Sequence, residues 1–283
     1  MSYLLLALCS ACLVGIWKFG LSVYRGKVSV YAVILLSALG AVPVYLILGA
    51  MQGTLEIDAA DVPEGLLGGA LNFTGTLLIL MAFARGTVGV VAGVGALYVL
   101  VPLGYSIMRG EEIPATVTVG VALLAAGLIA FYAPHARADA GAERQGSRAP
   151  ILLALAAALF YGLAIVVLDI GSLESVNATL ALSQIPQIVL AAGILLCAPG
   201  QSMHGVTGRA LAVIAGSGIA VALGNVAFFT AANEGDIGVV AVLGSLSPLV
   251  TALLAAIVFK ERLARSDYVA FAIVIVGAAI VVA

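Results

Sequence analysis

Long apolar stretches alternate with short charged or turn-rich breaks along this chain. An α-helix needs about 20 apolar residues to cross the ~30 Å hydrocarbon core of a bilayer. By that measure the breaks define ten spans: 2–23, 29–51, 63–84, 88–108, 115–133, 150–169, 176–198, 209–232, 237–259 and 267–283. The longest break, APHARADAGAERQGSRA, runs from Ala133 to Ala149 and is polar and central. It predicts two five-helix halves, 1–133 and 150–283, joined by a linker at 134–149.

The halves resemble each other. A shift of 149 residues lays Gly89-Val90-Val91-Ala92 on Gly238-Val239-Val240-Ala241. The same shift pairs Gly95 with Gly244, Leu97 with Leu246, Leu100-Val101 with Leu249-Val250, and Glu112 with Glu261. That is nine identities over 24 positions, and the shared glycines and terminal glutamate carry more weight than the aliphatics. Five is odd, so the second copy enters the membrane upside down. The expected fold is therefore all-α: a polytopic membrane protein of ten transmembrane helices in two inverted five-helix repeats. Inverted repeats suit a transporter, because two halves that exchange shapes expose a midplane site to each side in turn.

Composition agrees. Of 283 residues, 63% are hydrophobic and 9% charged, against about 45–50% and about 25% in soluble domains. A net charge of −2 gives no basic field for nucleic acid. Cys9, Cys12 and Cys197 sit inside apolar runs and read as small packing residues, and the Cys9–Cys12 spacing lacks the βαβ context of a redox motif. The apolar N-terminal stretch reads as the first span, since it lacks a basic start and a small-residue cleavage site.

Chemistry concentrates where polar groups stand within spans. Lys18 follows Trp17 deep in the first. A lysine at a helix centre costs about 2.5–3.5 kcal/mol on insertion scales, so it should face a wet cavity or a partner. There its ammonium would hold a substrate carboxylate while Trp17 supplies an apolar face. The alternative is that its long stem snorkels toward the turn at 24–27. Asn72, Tyr98, Tyr161, Gln184, Gln187, Asn225, Ser245 and Ser247 are further cavity candidates, each equally readable as interhelical glue. Pro102, Pro186 and Pro248, with Gly244, are the expected kinks. Pro248 cannot donate an N–H and clashes with the carbonyl of Gly244 four residues back. In lipid that carbonyl needs a new partner, and Ser245 and Ser247 are near enough to help. Glu234 and Asp236 read as solvated groups or caps of the ninth span, and Glu112 and Glu261 as interfacial caps. No Asp or Glu falls at the centre of a span, which disfavours proton-coupled export of organic cations. A single intramembrane cation suits a solute with at most one anionic group.

The segment FFTAANEGDIGVVAVLGSLSPLVTALLAAIVFKERL, Phe228 to Leu263, resembles the second-half segment of the drug/metabolite transporter superfamily, EamA type. AFARGTVGVVAGVGALYVLVPLGYSIMRGEEI is a weaker first-half copy, and the resemblance spans the whole chain. It implies a ten-helix carrier of small metabolites, often amino acids, with YddG-like exporters as one branch. The family often has a Trp-Gly pair in its first span; Tyr161-Gly162 is read as its second-half equivalent and Trp17-Lys18 as its first.

The expected partners are a small-molecule substrate and the lipid bilayer of the cell's inner membrane. The expectation includes no nucleic acid, no cofactor and no metal, and a monomer suffices. Multidrug or lipid-linked export by the same fold is the alternative, with a non-transporting scaffold behind it. An intramembrane enzyme would need a motif such as HExxH or GxSxG, which the sequence lacks. Ten of the twelve Lys and Arg follow odd-numbered spans. The positive-inside rule then puts both termini outside the cytoplasm, whereas the resemblance implies cytoplasmic termini.

Overall fold

The computed structural model describes residues 2–24, 27–55, 62–83, 94–110, 149–198 and 205–259, with scattered positions elsewhere. Every described element is helical. The helices are α1 (Ser2–Val23), α2 (Val30–Gln52), α3 (Val62–Phe83), α4 (Leu100–Met108), α5 (Ala149–Ser172), α6 (Val176–Cys197), α7 (Gly208–Glu234), α8 (Ile237–Gly244) and α9 (Ser247–Phe259), and a 3₁₀ turn, Ala96–Val99, leads into α4. Six of them, α1 to α3 and α5 to α7, are long and apolar enough to cross a bilayer among the described residues. They match the predicted spans to within a few residues. The predicted fourth and ninth spans are present but interrupted. The fifth and tenth, 115–133 and 267–283, are described only at scattered positions, all of them helical, and Glu112 and Glu261 lie outside the described residues.

Each start and stop has a local cause. Ser175 caps α6 by accepting from Ala178 N at 3.2 Å, Thr207 caps α7 by accepting from Ala210 N at 3.2 Å, and Asp236 caps α8 by accepting from Val239 N at 2.9 Å. These side chains satisfy backbone donors that a helix start leaves open. The cap reading of Asp236 thus holds. At the end of α2, Gly53 turns left-handed with φ 68°, a conformation that glycine adopts without Cβ strain. Ser175 also donates to the carbonyl of Thr54, tying α6 to the chain beyond α2. Ser175→Ala removes both contacts; an expected loss of about 1–2 kcal/mol would appear as a lower Tm in detergent.

Packing reverses the soluble pattern. Large aliphatics face outward, with Leu196 86% and Met51 79% exposed, while alanines such as Ala7, Ala157, Ala191 and Ala222 are fully buried. Lipid is as apolar as leucine, so helices associate through close contact of small residues instead. Gly20 meets Ser217, Gly224 meets Leu13 and Val14, and Gly235 meets Tyr3, so α1 and α7 run antiparallel. Glu64 meets Gly171, Gly68 meets Leu168 and Gly75 meets Tyr161, so α3 and α5 do the same. The cross-pairings are reciprocal. As α1 packs on α7, so α3 packs on α5; as α2 packs on α7, so α3 packs on α6; and α2 packs on α6.

Candidate functional site

The ninth span breaks where Pro248 predicts. Helix α8 ends at Gly244, Ser245 and Leu246 form a tight turn, and α9 begins at Ser247. The carbonyls of the last turn of α8 find partners within the turn. Ser245 N–H bonds to the carbonyls of Ala241 and Val242, at 3.0 and 3.2 Å, and Leu246 N–H to that of Leu243 at 3.1 Å. Ser245 Oγ donates to the Val242 carbonyl at 2.6 Å. In the fourth span the same cause acts less sharply. Pro102 withholds the donor that Tyr98 would use, and the preceding turn tightens to 3₁₀, with Leu100 N–H on the Leu97 carbonyl. Pro186 lies inside α6 without ending it.

Lys18 meets the second half at this break. Its Nζ donates to Ser247 Oγ at 2.8 Å, and Ser247 is fully buried. Lys18 lies five residues before the end of α1, about 8 Å along the axis at 1.5 Å per residue. The ammonium therefore points into the bundle and not to the turn at 24–27. Beside it, Trp17 Nε1 donates to Ser37 Oγ on α2 at 2.9 Å. Thr251 Oγ1 lies 3.0 Å from the carbonyl oxygens of both Gly15 and Ser247, and Gly15 itself touches Ser247 and Val250. From α1, the lysine and a backbone carbonyl thus reach hydroxyls of α9, and the indole reaches a hydroxyl of α2.

Two phenols bridge other helix pairs. Tyr161 donates to Thr76 Oγ1 at 3.0 Å, joining α5 to α3. Asn225 Nδ2 donates to the hydroxyl of Tyr45 at 3.2 Å, joining α7 to α2, and Tyr45 is wholly buried. Tyr98 sends its hydroxyl toward Gly244, 3.8 Å from where a Cβ there would sit. It therefore reaches from the first-half kink to the second-half one. Gln184 and Gln187 behave differently. Gln184 Nε2 bonds to Ser183 Oγ and to the Leu180 carbonyl, and Gln187 Nε2 to the Ser183 carbonyl and Gln184 Oε1. These contacts stay within α6. Asn72 is half-buried, and its carbonyl accepts from Thr76 Oγ1 at 2.9 Å.

The contacts correct one alignment. Gly162 touches Val101 and the Tyr98 carbonyl, as Gly15 touches Val250 and the Ser247 carbonyl. Gly15 is thus the partner of Gly162, and Trp17-Lys18 lies beyond it, not opposite Tyr161-Gly162. Lys18 has not replaced a repeated glycine; it is an addition one turn further along. By the same pairing Ser247 corresponds to Tyr98, so the two kinks differ in the side chain they present.

Ser37, Tyr45, Thr76 and Thr251 were not among the candidates. A hydroxyl in an apolar run carries no charge to flag it, and only its partner reveals it. Asp169 is a second omission. The predicted sixth span stops at it, but α5 continues to Ser172 and leaves Asp169 one turn inside, 4% exposed.

With this geometry in view, comparison with known proteins gives three findings. Residues 148–283 match the model of the EamA-like transporter family. A solved crystal structure superposes on 99% of this chain and 96% of its own, with a TM-score of 0.79 and 18% sequence identity. At that identity the likeness establishes the fold. No curated protein matches the sequence. The protein is a multi-pass membrane protein whose second half matches the EamA-like model.

Proposed function

We propose that this protein is a transporter of small metabolites, working by alternating access between two inverted five-helix repeats. Its substrates are amino acids or similar amphipathic solutes with a single carboxylate. The hydrogen bond from Lys18 to Ser247, at the interruption of the ninth span, is the observation that carries this reading. An ammonium that deep is costly, and it is placed at the start of a half-helix whose dipole is also positive there. Both favour an anion, and broken helices offer such ends to carboxylates. Ser247 holds the ammonium until a carboxylate takes it. With one cation, the site balances one negative charge and leaves a phosphate or dicarboxylate under-compensated.

The inverted arrangement is supported by direction. As successive membrane crossings α1 and α3 run one way and α2 the other, and α5 is antiparallel to α3. The first helix of the second half is therefore reversed relative to the first of the first half. Reciprocal glycine contacts support the same reading: Gly69 abuts the carbonyl of Ser183 as Gly218 abuts that of Ser37.

Orientation follows from charge. Among the described residues Lys27, Arg85 and Arg209 follow odd-numbered spans and Arg109 an even-numbered one. The basic face is cytoplasmic by the positive-inside rule, in a bacterial-type inner membrane. Both termini are then external, and a reporter fused after Ala283 should be active only on that side.

Counterflow in proteoliposomes tests the function. Saturable exchange is expected for at least one amino acid or other monocarboxylate and not for inorganic phosphate. A complete panel without any exchange would remove the reading.

A further inference from the structure

On the face opposite the basic loops, the fourth span meets the ninth through a polar contact that the transport reading has not used. Ser106, fully buried on α4, donates to Asp236 Oδ1 at 3.2 Å and accepts from Gly238 N at 3.1 Å. Asp236 Oδ1 also accepts from Val239 N. Backbone closes in behind: a methyl on Gly238 would stand 3.1 Å from the Cα of Leu103 and 3.0 Å from Ser106 Oγ. Around this contact lie Arg109, whose guanidinium sits 5.6 Å from the centre of the Tyr105 ring, and buried Asp169, which interacts electrostatically with Arg109 and Asp236. One turn away, Asn233 Nδ2 donates to the Ser172 carbonyl at 2.8 Å, holding α7 against α5. First-half and second-half helices are thus fastened together at one end.

Repeats that exchange shapes would need a matching fastening at the other end. The positions that correspond by the repeat do not supply one. Moved by the 149-residue offset, Ser106 corresponds to Ala255, Asp236 to Thr87 and Arg109 to Val258. Neither a carboxylate nor a serine stands at those corresponding positions.

We propose that Ser106 and Asp236 form a one-sided latch that holds the face opposite the basic loops closed, so that the bundle rests with Lys18 reached from the basic face. The inference rests on the alternating-access reading. Its consequence is directional: the site loads from the side of the basic loops, and release to the other side requires the latch to open. A transporter with a latch at one end spends most of its time in one of its two shapes. Loss of one buried hydrogen bond would change that balance about fivefold to tenfold.

Site-directed labelling reads this out. Cys9, Cys12 and Cys197 are changed to alanine and Lys18→Cys is introduced as the reporter. Vesicles of each orientation are treated with a membrane-impermeant methanethiosulfonate. The thiol is expected to react from the basic face. Adding Ser106→Ala should accelerate reaction from the opposite face about fivefold to tenfold, and Asp236→Asn, which keeps the helix cap, by less. Rates unaffected by either substitution, or a thiol reached first from the latched face, overturn the latch and leave transport standing. A thiol reached from neither face refutes alternating access itself and the latch with it.

Discussion

Lys18→Met is expected to abolish the saturable exchange of monocarboxylates while leaving the protein at least as stable as before. Methionine keeps most of the stem and removes the ammonium, so packing around the stem changes little. Two effects then run in opposite directions. Relief of a cation held among apolar helices favours the fold, by up to the about 2.5–3.5 kcal/mol that insertion charges for it. Loss of a charge-assisted hydrogen bond to the substrate costs about 1.5–3 kcal/mol of binding, about tenfold to a hundredfold in affinity. A lysine kept for structure behaves otherwise, since losing it would lower Tm and transport together. Counterflow and a detergent Tm on the same preparation separate the cases. Unchanged uptake of every carboxylate solute would sink the assignment of Lys18 to the substrate. Ser247→Ala is the milder companion: the ammonium loses its resting partner but keeps its charge, so exchange should fall less than in Lys18→Met.

That lysine was legible in the sequence for the same reason that it is testable. A charge inside an apolar run stands out against any composition, and the cost of burying it demands a use. The helices were legible too, because twenty apolar residues between polar breaks leave few other structures in lipid. Pro248 announced the break in the ninth span, and the break is there. What remained hidden is what depends on partners. Ser37 and Thr76 look like any hydroxyl in a membrane helix until Trp17 and Tyr161 are seen to reach them. Pairing Trp17-Lys18 with Tyr161-Gly162 rests on an aromatic residue and its neighbour and sets the first helices 144 residues apart. Contacts relate the first helices of the two halves by 147 residues and the third and fourth by 149. The offset of the best-matching segment would slip by two residues in the first helix, and the aromatic likeness slips by three the other way. Asp169 was passed over because the end of a span was drawn at the first charge. The helix instead carries that charge inward, where Arg109 and Asp236 act on it.

Gly69→Ala and Gly218→Ala are expected to damage the fold severely and by similar amounts. A methyl on either would overlap a carbonyl oxygen, that of Ser183 for Gly69 and that of Ser37 for Gly218. A side chain could rotate away; a backbone carbonyl in the middle of a helix cannot. The two helices must separate along the crossing, and close approach is what holds helices together in lipid. Overpacking costs of about 1–3 kcal/mol are usual, and the loss of packing on either side of the crossing adds to that. Gly104, Gly193 and Gly216 supply the control, since a methyl there meets nothing within 4 Å. Alanine at those helical positions should be neutral or should gain a few tenths of a kcal/mol from reduced backbone entropy in the unfolded chain. Thermal unfolding in detergent, followed by the single tryptophan, measures all five. Equality between Gly69→Ala and Gly218→Ala carries the physical content, because the residues lie in different halves and share no neighbour. If one substitution proved harmless while the other unfolded the protein, the two halves would not be packed as copies. The exchange of shapes that the proposed transport requires would then have no structural basis.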